Sequence, residues 1–78
     1  MLEDDTPSPY ADSEWIHSKT GNRYRVLMVA LNSSTLEPTV VYQALYFNPT
    51  AELWTRPMKE FLELVEINGK LIPRFQPV

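Results

Sequence analysis

Apolar and polar residues alternate over short distances along most of this chain, in runs bounded by turn residues, and that pattern predicts strands. Trp15-Ile16-His17 reads as a short first strand, after which Thr20-Gly21-Asn22 turns the chain. Tyr24 to Asn32 contains no Gly or Pro and is rich in β-branched and aromatic residues, which predicts a longer strand. Tyr24, Val26, Met28 and Ala30 point one way, while Arg25, Leu27, Val29 and Leu31 point the other, so both faces are largely apolar. A strand with one wet face alternates more cleanly. This one is expected to bend, its two halves burying opposite faces.

Asn32 to Pro38 is a polar loop, Thr39 to Phe47 a central strand, Asn48 to Glu52 a turn, and Leu53 to Thr55 or Arg56 a short partner strand. Then the period changes. Met58, Phe61, Leu62 and Val65 fall at i, i+3, i+4 and i+7, which predicts one or two helical turns over about Pro57 to Leu64, with Pro57 at the first position. Asn68-Gly69 lies between Val65-Glu66-Ile67 and Lys70-Leu71-Ile72, the signature of a hairpin whose two turn residues both need positive φ. Pro73 ends the last strand or sits at its edge, and Arg74-Phe75 makes the final contact. Five or six short strands with one helical turn predict a mainly β domain. The architecture expected is a small, highly bent antiparallel barrel of the SH3-like type.

Seventy-eight residues allow one domain at most. Residues 1–14 are acidic and contain Pro and Ser, with Leu2 and Tyr10 as the sizeable apolar groups, so they are expected to be a disordered tail. As such they read as a solubilising leader, in preference to a segment that competes with anionic ligands. The domain is then 15–78. No cysteine is available for a disulfide or a thiolate metal site, so aromatic and branched aliphatic side chains must hold a core of this size. No apolar run approaches the ~20 residues of a membrane span, and no basic-then-apolar leader is seen. A cytoplasmic, non-membrane protein is expected. Residues 15–78 carry seven basic and five acidic side chains, a balance of +2, against −5 in the tail. The whole chain is therefore a poor non-specific binder of DNA.

Catalytic chemistry is poorly supplied. His17 is the one histidine, every aspartate lies in the tail, and dispersed glutamates give neither zinc nor calcium spacing. No cofactor is implied, since a phosphate cradle needs a glycine-rich loop and the two glycines are far apart. What remains is an aromatic–arginine set. Tyr42 and Tyr46 share a strand face, as do Trp54 and Arg56 on the partner strand. All four lie together if residue 46 or 44 opposes Trp54; if Leu45 does, Gln43 and Leu45 accompany Trp54 instead. In the first case the aromatic faces can stack on a planar group while Arg56 pairs with a carboxylate or phosphate. The competing reading makes Tyr42, Tyr46 and Trp54 core residues, and gives Arg56 a structural ion pair with Glu60 or Glu37.

Several stretches also carry a family resemblance. Gly21-x-x-Tyr24-x-Val26-Leu27-x-Val29-Ala30, Thr35-Leu36-Glu37, Val40-Val41-Tyr42-x-Ala44-Leu45-Tyr46, Trp54-x-Arg56-Pro57-x-x-x-Phe61 and Gly69 to Arg74-Phe75 together resemble a bacterial family known as Domain of Unknown Function 1653. The resemblance runs from about Trp15 to Phe75. It implies a compact bacterial domain and brings no mechanism with it. The family typically has a His and an acidic residue before its Thr-Leu-Glu, where this chain has Asn32 and Ser34.

The expected function is a non-catalytic binding or accessory module for a peptide or small planar ligand, with Tyr42, Tyr46, Trp54, Arg56, Glu37 and His17 as candidate ligand-binding residues. A single-stranded nucleic-acid or nucleotide binder is the alternative. An enzyme is the third reading, with His17 and Glu37 as the acid–base pair to test. A monomer or a weak homodimer is expected, the latter through an edge such as Leu71–Pro73.

Overall fold

A computed structural model of the chain describes residues 8–78. Seven strands and one helical turn follow in the order β1 (Glu14–His17), β2 (Arg23–Leu31), β3 (Pro38–Ala44), β4 (Leu53–Pro57), α1 (Met58–Phe61), β5 (Leu64–Ile67), β6 (Lys70–Pro73) and β7 (Phe75–Pro77). Five strands form one antiparallel sheet in the order β4-β3-β2-β1-β7, and β5 and β6 form a separate hairpin. The mainly β expectation holds, with one strand more than the largest count expected. No pairing joins the edge strands β4 and β7 among the described residues, so the sheet curls without the ladder of a closed barrel.

The register of β2 against β3 breaks once. Val26 pairs with Tyr42 but Met28 pairs with Val41, leaving Leu27 as an extra residue, a β-bulge. Tyr24 and Val26 therefore share the inner face before the bulge, and Val29, opposite buried Val40, takes that face after it. β2 stays within one sheet and its second half buries neither face, since Met28, Val29 and Leu31 are exposed; the expectation that its two halves bury opposite faces is not met.

The core contains Trp15, Val26, Val40, Tyr42, Phe61 and Phe75. Phe61 and Phe75 stack in parallel with centroids 4.1 Å apart, and the Trp15 ring meets Phe61 edge-on at 5.3 Å. The buried Trp15 indole donates to Ser13 Oγ at 2.9 Å, so its one polar atom is satisfied inside.

Several boundaries differ from the expectation. For the 1–14 tail, residues 1–7 lie outside the described residues. Residues after them join the fold: Asp12 N–H donates to Val26 O at 2.7 Å, Val26 N–H to Ser13 O at 2.8 Å, and Glu14 already belongs to β1. Burying the Trp15 indole requires the turn that brings Ser13 to it. The central strand ends at Ala44 instead of Phe47, and in the turn beyond it Asn48 Oδ1 accepts from Thr50 N–H at 2.9 Å. The helix is a single turn, and Val65, which continued its period, instead pairs with Ile72 in the β5–β6 hairpin. That hairpin turns through Asn68 (φ 52°) and Gly69 (φ 79°), as its sequence predicts. Pro73 ends β6, and the chain beyond it adds β7 alongside β1.

Candidate functional site

The register between β3 and β4 decides how the aromatic–arginine set is arranged. Tyr42 stands opposite Trp54 and Val40 opposite Arg56. That even-numbered offset keeps Tyr42, Trp54 and Arg56 on the inner face. At the other edge of the sheet, His17 pairs with Phe75. Because the sheet curls, residues from both edges line one recess of about 170 Å³: His17 and Phe75 on one wall, Trp54 and Arg56 on the other. Tyr24, Tyr42 and Asn48 complete the lining.

Each side chain is held from behind. The Tyr24 ring packs edge-on against Tyr42, Tyr46 and Phe75 at 5.3–5.7 Å, the arrangement aromatic quadrupoles prefer. Its hydroxyl lies 2.7 Å from that of Tyr46, which also accepts from Asn48 Nδ2 at 3.0 Å. Trp54 donates its indole N–H to Ala51 O at 3.1 Å. Arg56 Nε donates to Tyr42 Oη at 3.5 Å, the limit of a hydrogen bond, and Arg56 Nη1 lies 3.6 Å from Glu60 Oε1. His17 packs edge-on against Phe75 at 5.0 Å, and its Nδ1 is buried without a hydrogen-bond partner among the described residues.

The chemistry of the recess is that of a donor set. A guanidinium carries five N–H groups, and the contacts above engage two of its nitrogens at long distance. The Tyr24–Tyr46 pair has two hydroxyl hydrogens and spends one of them on the bond between them. Burial, then the hydrogen bond and charge of Tyr46 and the charge of Tyr42, raise the Tyr24 pKa above its ordinary 10.0 against the opposing pull of Arg56. Tyr24 is thus a neutral phenol across the physiological range. Burial, then the positive charges of Arg56, Arg74 and Lys19, lower His17 below its ordinary 6.5, which leaves its ring neutral near pH 7.

Of the six candidate residues, the fold brings His17, Tyr42, Trp54 and Arg56 into the lining, with Tyr46 directly behind Tyr24. Glu37 is elsewhere. It pairs with Lys59 at 3.4 Å and lines a separate groove of about 370 Å³ with Pro38, Pro57, Met58 and Leu62. It therefore cannot act with His17 as an acid–base pair. The structural ion pair considered for Arg56 is made, with Glu60 at i+4 and not with Glu37, and it leaves the guanidinium at the recess. Asn32 and Ser34 build the distal loop, where Asn32 Oδ1 accepts from Ser34 N–H at 2.9 Å. Tyr24, Asn48 and Phe75 were missed. Tyr24 shares its strand face with Val26, a signal that was available; Phe75 enters through the pairing of β1 with β7, which no local pattern announces.

A family model described as "Protein of unknown function (DUF1653)" matches residues 13–77. The chain belongs to this family. It is also similar to the crystal structure of a DUF1653 protein from Bordetella bronchiseptica, at 30% sequence identity and a TM-score of 0.79, covering 88% of this chain and 87% of that one. No curated protein matches the chain at a significant level. As a DUF1653 domain, the chain pairs a curled small sheet with a recess built from the two most distinctive stretches of its sequence, around Tyr42 and around Trp54-x-Arg56. No helix among its described residues is long and apolar enough to cross a membrane.

Proposed function

We propose that this DUF1653 domain is a non-catalytic binding module whose recess takes one planar group, either a small molecule or a single side chain of a peptide. The observation that carries the reading is the register of β3 and β4, which sets Trp54 opposite Tyr42 and turns Arg56 into the same recess as His17. A volume of about 170 Å³ is below the roughly 300–1,000 Å³ of pockets for drug-sized ligands, so the ligand is small or enters by one end. Aromatic walls supply contact area at low entropic cost, and the polar groups fix orientation. Tyr42, Trp54 and Arg56 are the residues assigned to contact, and Tyr46 and Asn48 to positioning. A cytoplasmic location fits a cysteine-free chain and belongs to the same reading.

A single-stranded nucleic acid gains no separate support. The aromatic groups gather around one recess and not along a track on which successive bases would stack. The test is a titration of labelled protein with benzamide, a neutral planar probe, followed by NMR. Shifts confined to residues around Tyr42, Trp54 and Phe75, and absent in folded Arg56→Ala, are expected. Shifts scattered over the surface, or unaltered by the substitution, would reject the site.

A further inference from the structure

We infer that the ligand of this recess is an anion, a planar acid bound through its carboxylate, and that its arrival brings a proton onto His17. This rests on the recess being a binding site, and it adds the charge class of the ligand and a coupling to pH.

The case begins with the sign of the lining. Arg56, the tyrosine hydroxyls, Asn48 and His17 are the polar groups, and among the described residues no carboxylate joins them. Glu60 and Glu63 are turned to other work: Glu60 meets Arg56 at 3.6 Å and Glu63 holds Arg74 at 2.9 Å. An aromatic lining of this kind would also suit a cation, as in the cages that bind quaternary ammonium groups. Here the guanidinium of Arg56 opposes that. A cation in the recess would meet a like charge at close quarters, whereas a carboxylate would meet Arg56 and a free phenolic hydrogen together.

The second observation is the unmet His17 Nδ1. A buried polar atom without a partner is uncommon and calls for an explanation. His17 faces charge from several directions: Arg56 on β4, Arg74 just before β7 and Lys19 in the turn after β1 all oppose its protonation. The remaining titratable groups across the recess are the phenols Tyr24 and Tyr42. A carboxylate placed among these cations reverses the local balance. It offsets their repulsion, so the bound state favours protonation of the unpartnered ring, which burial and those charges disfavour in the free state. By linkage, proton uptake on binding means affinity that rises as pH falls, by at most about tenfold per pH unit for one proton.

The experiment uses benzoate as the anionic probe, benzamide as its neutral counterpart and benzylammonium as the cation, all with the wild-type protein. Benzoate is expected to bind tightest, to shift the Trp54 and Phe75 resonances, and to weaken from pH 5.5 to pH 7.5. Calorimetry in two buffers of different ionisation enthalpy should show net proton uptake of up to about one per benzoate near pH 6. His17→Gln should abolish the uptake and flatten the pH profile while benzoate still binds; the wild-type calorimetry decides alone if that variant does not fold. Benzamide binding as tightly as benzoate, benzylammonium binding better, or benzoate binding with no proton uptake would overturn the inference while leaving the site in place. Should none of the three probes perturb the recess, the site itself fails.

Discussion

Two clusters of aromatic rings share Tyr42 and Phe75, and they differ in how their polar atoms are satisfied. On one side, Trp15, Phe61 and Phe75 are almost wholly buried, and the one polar edge among them, the Trp15 indole, is met by Ser13 within the fold. On the other, Tyr24, Tyr42, Trp54 and His17 surround a recess, and His17 Nδ1 and part of the Arg56 guanidinium are left unmet. The same residue types thus make a core where their polar edges are answered internally, and a candidate site where they are not.

The sharpest way to break this comparison is to cut one ring from each side. Phe61→Ala removes a fully buried side chain stacked on Phe75 and should cost about 3–5 kcal/mol, on the order of the whole stability of a domain this small, as read by urea unfolding. Ser13→Ala comes next. It strands the buried Trp15 N–H and should cost roughly 1–3 kcal/mol by the same measurement. Arg56→Ala should shift stability by less than about 1 kcal/mol, because its ion pair with Glu60 is long and half exposed, yet it should remove binding of planar probes. A loss of stability as large as that of Phe61→Ala would move Arg56 from the site to the core side of the comparison.

The smallest effect is in pH. His17 has a folded pKa below 6.5, so the unfolded chain binds more protons in the interval beneath that value. Its contribution to stability is therefore intact above pH 6.5 and declines as pH falls toward the folded value. The thermal midpoint of the ligand-free protein should drop between pH 6.5 and about pH 5, before carboxylates titrate, and His17→Gln should flatten the slope. An equal slope in that variant would assign the effect to another group.

Much of this was legible in the residues. The hairpin at Asn68-Gly69, the run of β2 and the helical turn after Pro57 are local, and local chemistry specifies them. Parity alone reduced the Tyr42, Trp54 and Arg56 question to two outcomes, and the register selected the one in which they share a face. Glu37 was misplaced because it lies just before β3, where the register that sets Thr39 opposite Pro57 brings it beside Lys59 and not to the recess. The ordered stretch before Trp15 was hidden for a related reason. Ser13 matters through a single hydrogen bond to a buried indole, and composition does not record that.

The pairing of β1 with β7 bears on the order of assembly. Ser18 and Gln76, bonded to each other at 2.9 Å, are 58 residues apart, whereas the β2–β3 and β5–β6 contacts close short loops. Hairpins of that local kind zip within about microseconds, while a junction between distant segments waits on a slow search. His17 and Phe75 meet across that junction, so the cleft comes into being only when the final strand docks. A chain that has paired only its local hairpins would still lack the wall of the recess that Phe75 supplies.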